Sequence, residues 1–215
     1  MEGLEAPRSE APDFEVEGRA YYVLFLLVLV GACNFVDRQI LTILLQPIKQ
    51  ELGASDTAMG FLTGFGFAAF FVVAGFPLAR WADRGSRRSI IALCVGFWSL
   101  MTMASGFATS FLQLALARVG TAVGEAGSAP AIASLVADHF PRQGRGRAMA
   151  VVFIGPAIGV FLGLMLGGWI NQAFGWRVAF VAVGAPGLLL ALVMRFSIAE
   201  PVRGRDAPSA KVAPR

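Results

Sequence analysis

Long apolar runs alternate with short polar stretches along most of the chain. Each run is close to the length of about 20 residues that an α-helix needs to cross the hydrocarbon core of a bilayer. Helices are favoured because they satisfy their own backbone hydrogen bonds in lipid. The pattern therefore predicts six transmembrane helices, at about 20–46, 57–79, 89–108, 111–139, 148–170 and 177–196.

Polar segments flank this predicted six-helix domain, which covers residues 20–197. Residues 1–19 are rich in acids and lack the basic start and short apolar core of a signal peptide, so we expect a cytoplasmic tail there. Residues 198–215 contain Pro, Ala, Arg and Ser without an apolar run. This composition is typical of a flexible linker, which we also expect on the cytoplasmic side.

The composition supports a membrane protein. Hydrophobic residues make up 56% of the chain and charged residues 15%, whereas a soluble domain carries about 25% charged residues. This balance excludes a disordered chain, a nucleic-acid-binding domain and an ordinary cytosolic enzyme. Two cysteines in apolar runs and a single histidine indicate no disulfide framework, metal site or cofactor. The chain has no zinc-protease, nucleophile-elbow or phosphate-loop motif, so we assign no catalytic residue and expect no enzyme.

Basic residues lie mainly on one side of the predicted membrane. They occur in both tails and in the loops that follow helices 2 and 4, whereas only Lys49 and Arg177 fall on the other side. Because Lys and Arg are enriched in cytoplasmic loops, we expect both termini in the cytoplasm. We expect the protein itself to lie in a bacterial inner membrane. The formal net charge of +4 thus follows from topology, and we expect no nucleic-acid partner.

Four charged residues lie inside the predicted spans: Asp37 and Arg38 on helix 1, and Arg118 and Glu125 on helix 4. A charge at the centre of a bilayer costs about 2.5–3.5 kcal/mol, so we expect the four to face a polar cavity or one another. Arg118 and Glu125 are two helical turns apart and share a face. Either these residues form ion pairs that fix helices 1 and 4, or they take part in function. In the second case the carboxylates exchange protons, or the guanidinium groups bind an anionic head group.

The loop after helix 2 carries Asp83, Arg84, Arg87 and Arg88. These acidic and basic positions resemble the signature loop of the major facilitator superfamily of transporters. The resemblance implies that these four residues close the cytoplasmic side against the other half of a transporter. Members of the superfamily have two six-helix halves, each a 3+3 inverted repeat. The implied fold is an all-α membrane protein that corresponds to the N-terminal half.

Two further stretches, NFVDRQ on helix 1 and RVGTAVGEAGSAPAIASLVADHF on helix 4, resemble the Spinster branch of this superfamily. Eukaryotic members of that branch transport lysolipids and similar amphiphiles. The resemblance implies that Glu125 and Asp37 couple transport to protons, and that Asn34, Arg38 and Arg118 line the substrate cavity. The implied partners are membrane lipids, protons and a small organic or lipid-like substrate.

The sequence thus favours a secondary, proton-coupled transporter that works by alternating access. The alternative is a non-transporting membrane fragment or an assembly subunit. One six-helix half cannot enclose a cavity, so we expect the chain to be a fragment of a longer transporter. A separately encoded C-terminal half and a second copy of the chain are the other arrangements that would complete it.

The predicted topology can be tested with an introduced cysteine in the loop after helix 2. In intact cells, the Ser86→Cys variant should react with a membrane-impermeant maleimide only after permeabilisation, because the positive-inside rule places this loop in the cytoplasm. The matched control, Ala54→Cys between helices 1 and 2, should react without permeabilisation. Labelling of Cys at position 86 from outside would reverse the assigned orientation.

Overall fold

The computed structural model describes residues 18–198, except for the side chains of Asp83 and Arg84. Nearly all of the two predicted tails lies outside this part of the chain. The described residues form helices joined by short turns, with no strand among them. The helices are α1 (Gly18–Leu52), α2 (Asp56–Thr63), α3 (Phe65–Arg84), α4 (Arg87–Ser105), α5 (Phe111–His139), α6 (Arg142–Val152) and α7 (Ile154–Ser197).

Four helical stretches are long and apolar enough to cross a membrane: Gly18–Leu52, Asp56–Ala82, Arg87–Ser105 and Arg142–Ser197. The last has 56 residues, and a straight helix of that length would span about 84 Å at 1.5 Å per residue, far more than a bilayer core. It contains a break at Gly175, whose φ of 82° lies in the region that favours glycine. Helix α5 falls outside the four because charged and small residues lower its hydropathy.

Contacts on either side of Gly175 show that the chain reverses there. Before the break, Gly155 lies against Val28 of α1 and Gly167 against Ile40, so α7 runs parallel to α1. After it, Gly184 lies against Met103 of α4, and Gly187 against Ser99. This second part of α7 therefore runs antiparallel to α4. With α5, and with the joined pairs α2–α3 and α6–α7, the chain makes the six passes expected of a half transporter.

Several helix ends differ from the boundaries expected from the apolar runs. Helix α1 continues to Leu52 although Pro47 lies inside it, because Ile48 is still packed in the core. The expected second span is two helices, since the backbone at Gly64 leaves the helical region (φ −111°, ψ −105°). Helix α4 ends at Ser105, where Gly106 starts a turn by donating its N–H to the Met103 carbonyl.

The apolar core consists of two clusters at different depths. The first includes Leu27 of α1 and Trp98 of α4, and the second includes Leu44 of α1 and Phe180 of α7. Along α1 and α5 the buried charged residues fall between the residues that these helices contribute to the two clusters. Within residues 18–198, the polar and charged residues recorded as buried are Asp37, Ser99, Thr102, Ser105, Arg118, Thr121, Glu125 and Ser128.

Helices α1 and α7 pack backbone against backbone. A Cβ atom on Gly155 would lie 2.3 Å from the Val28 carbonyl oxygen, and one on Gly159 would lie 2.3 Å from that of Ala32. Small residues allow such close approach between transmembrane helices. No side-chain layer separates the two helices at these positions, so their relative position is fixed by main-chain contact.

This packing predicts that Gly159→Ala is destabilising. The added methyl group would overlap the Ala32 carbonyl and push α1 and α7 apart, at a cost of about 1–3 kcal/mol. The control is Gly168→Ala on the same helix, where a Cβ would meet nothing within 4 Å. Thermal unfolding in detergent should show a lower melting temperature for the first variant and an unchanged or higher one for the second. Equal melting temperatures would contradict the close contact.

Candidate functional site in the buried charge layer

An ion pair between Arg38 of α1 and Glu125 of α5 joins two helices in the middle of the bundle. The Arg38 Nε atom donates a hydrogen bond to Glu125 Oε2 at 2.8 Å, and Arg38 Nη2 lies 2.8 Å from the same oxygen. The Glu125 side chain is fully buried, whereas that of Arg38 is 36% exposed. One partner is therefore enclosed by protein while the other reaches the surface of this half.

Arg118 makes the second link between α5 and α1. Its Nη1 atom donates to the backbone carbonyl of Asp37 at 3.3 Å, and its charge interacts with the carboxylates of Asp37 and Glu125. Arg118 and Glu125 share a helix face, as expected, but the direct partner of Glu125 is Arg38. Two helical turns separate Arg118 and Glu125 by about 10.5 Å along the axis. The Glu125 carboxylate is therefore bound by Arg38 of α1 and not by Arg118 of its own helix.

Helix α4 forms the wall behind Asp37. Trp98 and Thr102 lie close enough to interact with the Asp37 carboxylate, although Trp98 Nε1 and Thr102 Oγ1 have no hydrogen-bond partner. Gly124 makes this approach possible, since a Cβ there would lie 2.8 Å from that of Trp98. A search for charged residues misses Trp98 and Thr102. The signal that finds Thr102 is the spacing of Ser99, Thr102 and Ser105, which places a polar stripe on an apolar helix.

Asp37, Arg38, Arg118 and Glu125 together form what we call the charge layer. Two of its carboxylate oxygens are buried without a hydrogen-bond partner, Asp37 Oδ1 and Glu125 Oε1. Asn34, one helical turn before Arg38, interacts with the Glu125 carboxylate. Buried polar atoms are normally satisfied in folded proteins, so two unpartnered carboxylate oxygens on neighbouring helices need an explanation. The structure thus brings all five expected proton-coupling and cavity residues into one interacting group, Asn34, Asp37, Arg38, Arg118 and Glu125.

Phenylalanine rings lie close to both arginines, and three of them lie around Arg38. The guanidinium carbon of Arg38 lies 5.5 Å from the ring centre of Phe35, 5.1 Å from that of Phe67 and 5.3 Å from that of Phe71. A cavity of about 170 Å³ adjoins them between α2, α3 and α5, with Arg118 in its wall. Its other lining residues are Phe61, Leu62, Gly66, Phe67, Phe70, Phe111, Ala115 and Val119.

The four residues expected to form a cytoplasmic gate lie apart from the charge layer, at the end of α3 and the start of α4. Arg87 forms an ion pair with Asp138 near the end of α5, and Arg88 Nη1 donates to the Ile198 carbonyl at 2.6 Å. The side chains of the other two, Asp83 and Arg84, lie outside the described part of the structure. The turn between α3 and α4 is thus tied to two other passes.

At the opposite end of the bundle, each of the two basic residues expected there contacts an acid. Lys49 Nζ lies 2.5 Å from Asp56 Oδ1, and Arg177 pairs with Glu51. Glu51 also accepts a hydrogen bond from Trp176 Nε1 at 2.6 Å. The Glu51 contacts hold the end of α1 against the reversal in α7, and the Lys49 contact holds it against the start of α2.

Comparison with known proteins identifies the family. The family model described as Major Facilitator Superfamily matches residues 27–214. The chain belongs to the major facilitator superfamily. Among its relatives, an MFS-type efflux pump of Mycolicibacterium smegmatis is 44% identical over 173 residues, which are 80% of this chain and 40% of the pump. The probable galactarate/D-glucarate transporter GudP of Bacillus subtilis is 32% identical over 200 residues, 90% of this chain and 44% of the relative.

The solved structures confirm the fold and the branch. A bacterial homologue of the human lysosomal transporter Spinster, in an inward-facing and unoccupied conformation, superposes with a TM-score of 0.80 at 38% identity. The match covers 91% of this chain and 46% of that one. The chain is therefore Spinster-like and has the N-terminal half of a major facilitator fold, a 3+3 inverted repeat. It spans less than half the length of these relatives. The family consists of transporters, which are not enzymes.

The unequal burial of Arg38 and Glu125 predicts unequal effects of mutation. Arg38→Met leaves a fully buried carboxylate without its direct partner, so we expect a loss of about 3 kcal/mol. Glu125→Gln leaves a partly exposed guanidinium that water can solvate, so its loss should be clearly smaller. The double variant should regain much of the stability lost in Arg38→Met. Thermal unfolding in detergent tests this, with the exposed Arg147→Met as control, and equal losses for the two single variants would contradict it.

Proposed function

We propose that this chain forms half of a proton-coupled secondary transporter that works by alternating access. The observation that carries the proposal is the Arg38–Glu125 ion pair, which links α1 and α5 between two apolar clusters. These helices are equivalent in the inverted repeat of the superfamily, and substrate and coupling sites of such transporters lie near the bilayer midplane at repeat interfaces.

The chemistry of coupling follows from the burial of Glu125. Its negative charge is tolerated among apolar residues while Arg38 is bound to it. When a conformational change moves Arg38 away, protonation removes the unpaired buried charge. We propose Glu125 as the proton-coupling residue, and Asp37 as a second acid whose carboxylate faces Thr102 and Trp98 and is influenced by Arg118.

The surroundings of Arg38 support an anionic, amphiphilic substrate. Its guanidinium is partly exposed and is flanked by phenylalanine rings, so an anion bound there would lie against an apolar surface. Guanidinium groups suit carboxylates and phosphates. We propose Arg38, Arg118 and Asn34 as substrate-cavity residues for a small organic or lipid-like solute. Exchange of Arg38 between the substrate and Glu125 would link substrate binding to proton binding.

The complete transporter requires a second six-helix half, and α3 offers a surface for it. Phe65, Val73 and Phe76 of α3 are strongly exposed. They lie in the stretch Asp56–Ala82, which is long and apolar enough to span a membrane. We propose that the second half packs on this face. In the same arrangement Asp83, Arg84, Arg87 and Arg88 close the cytoplasmic side, with both termini in the cytoplasm and the protein in the bacterial inner membrane.

Replacement of Glu125 by Gln tests the coupling role in a complete transporter, with this chain joined to a C-terminal half, reconstituted in proteoliposomes. Glu125→Gln should abolish transport driven by a pH gradient, because the amide cannot exchange a proton, while substrate binding is retained. Glu51→Gln is the matched control at the end of α1, outside the charge layer, and should transport normally. A Glu125→Gln protein that responds fully to the gradient would remove Glu125 from the coupling mechanism.

A further inference from the structure

One phenylalanine ring contacts both arginines of the charge layer. The guanidinium carbon of Arg38 lies 5.1 Å from the centre of the Phe67 ring, and that of Arg118 lies 5.4 Å from it. Phe67 belongs to α3, whereas the two arginines belong to α1 and α5. A single side chain therefore connects three helices at the depth of the Arg38–Glu125 ion pair.

Aromatic faces attract cations through the ring quadrupole, and the attraction is stronger where water is excluded. Arg118 is only 3% exposed, so its contact with Phe67 is shielded from solvent. The two guanidinium groups also repel each other across the layer. A ring that attracts both offsets this repulsion and favours the arrangement in which Arg38 stays beside Glu125.

The other rings around Arg38 do not share this geometry. Phe35 lies on α1 itself and moves with Arg38. The Phe71 ring faces Arg38, whereas Arg118 faces Phe67. Phe67 and Phe71 stack on each other, with ring centres 6.5 Å apart and planes inclined by 23°. Phe71 thus supports the ring that lies at both arginines.

We propose that Phe67 is a positioning residue that holds the Arg38 guanidinium against Glu125 and makes that contact depend on the position of α3. Most side chains of α3 are exposed or half-buried, so this helix is less enclosed than α1 or α5. Movement of α3 away from the charge layer withdraws the ring and weakens the hold on Arg38. The proposal rests on the proposed function for its link to proton coupling, but its physical claim concerns Arg38 alone.

The test uses the full chain in proteoliposomes and measures how fast Arg38 reacts with phenylglyoxal, quantified by peptide mass spectrometry. Mono-, di- and trifluorinated phenylalanines at position 67 keep the ring in place while they weaken its quadrupole stepwise. Reaction of Arg38 should accelerate with each step and reach about five-fold in Phe67→Leu, where the attraction is lost. Phe67→Tyr, which retains an aromatic face, should stay close to the parent rate.

The same substitutions at Phe76, an exposed residue of α3, should leave the rate unchanged, and exposed Arg147 serves as an internal reference. Unchanged Arg38 reactivity through the fluorinated series would overturn the proposal, because a ring that only fills space is insensitive to fluorine. The transport experiment on Glu125→Gln separates the two proposals. A graded Arg38 response together with full pH-gradient transport in Glu125→Gln would support positioning by Phe67 and reject proton coupling by Glu125.

Discussion

The ion pair between Arg38 and Glu125 is the interaction on which the arrangement of α1 and α5 depends. A carboxylate between apolar clusters keeps its charge only if a cation reaches it, and Arg38 comes from another helix. The two helices must therefore stay in register across this layer. Helix α5 also packs closely on α4, because Gly124 leaves room for Trp98 beside it. The charges in the layer neutralise one another, so the packing above and below it can consist of apolar residues.

Much of the fold could be predicted from the sequence because lipid imposes a simple rule on it. Apolar runs of membrane-spanning length indicate the passes, and the motifs around Asp37, Asp83 and Glu125 identify the superfamily and its branch. Helix ends were less predictable, since they depend on tertiary contacts. Helix α1 continues past Pro47 because the residues beyond it are packed in the core. The interruption at Gly64 cannot be read from the hydropathy, because the stretches on both sides of it are apolar.

The candidate site could be predicted in part for the same reason. Charged residues in an apolar run stand out, so Asp37, Arg38, Arg118 and Glu125 were found from the sequence. Which arginine contacts Glu125 depends on how far α1 is rotated relative to α5, and periodicity within one helix does not determine that. Trp98 and Phe67 are ordinary residues for a membrane helix. Their importance comes only from the charges that the fold places beside them.

The main-chain contact between α1 and the first part of α7 has a mechanical consequence. Packed helices slide past one another when the side chains between them change rotamer. Where the carbonyls of Val28 and Ala32 rest on Gly155 and Gly159, there is no such layer to absorb shear. Helix α1 and the first part of α7 therefore form one rigid unit, and this unit includes Asp37 and Arg38. A tilt of α1 would therefore carry the first part of α7 with it and would move Asp37 and Arg38 by the same rotation.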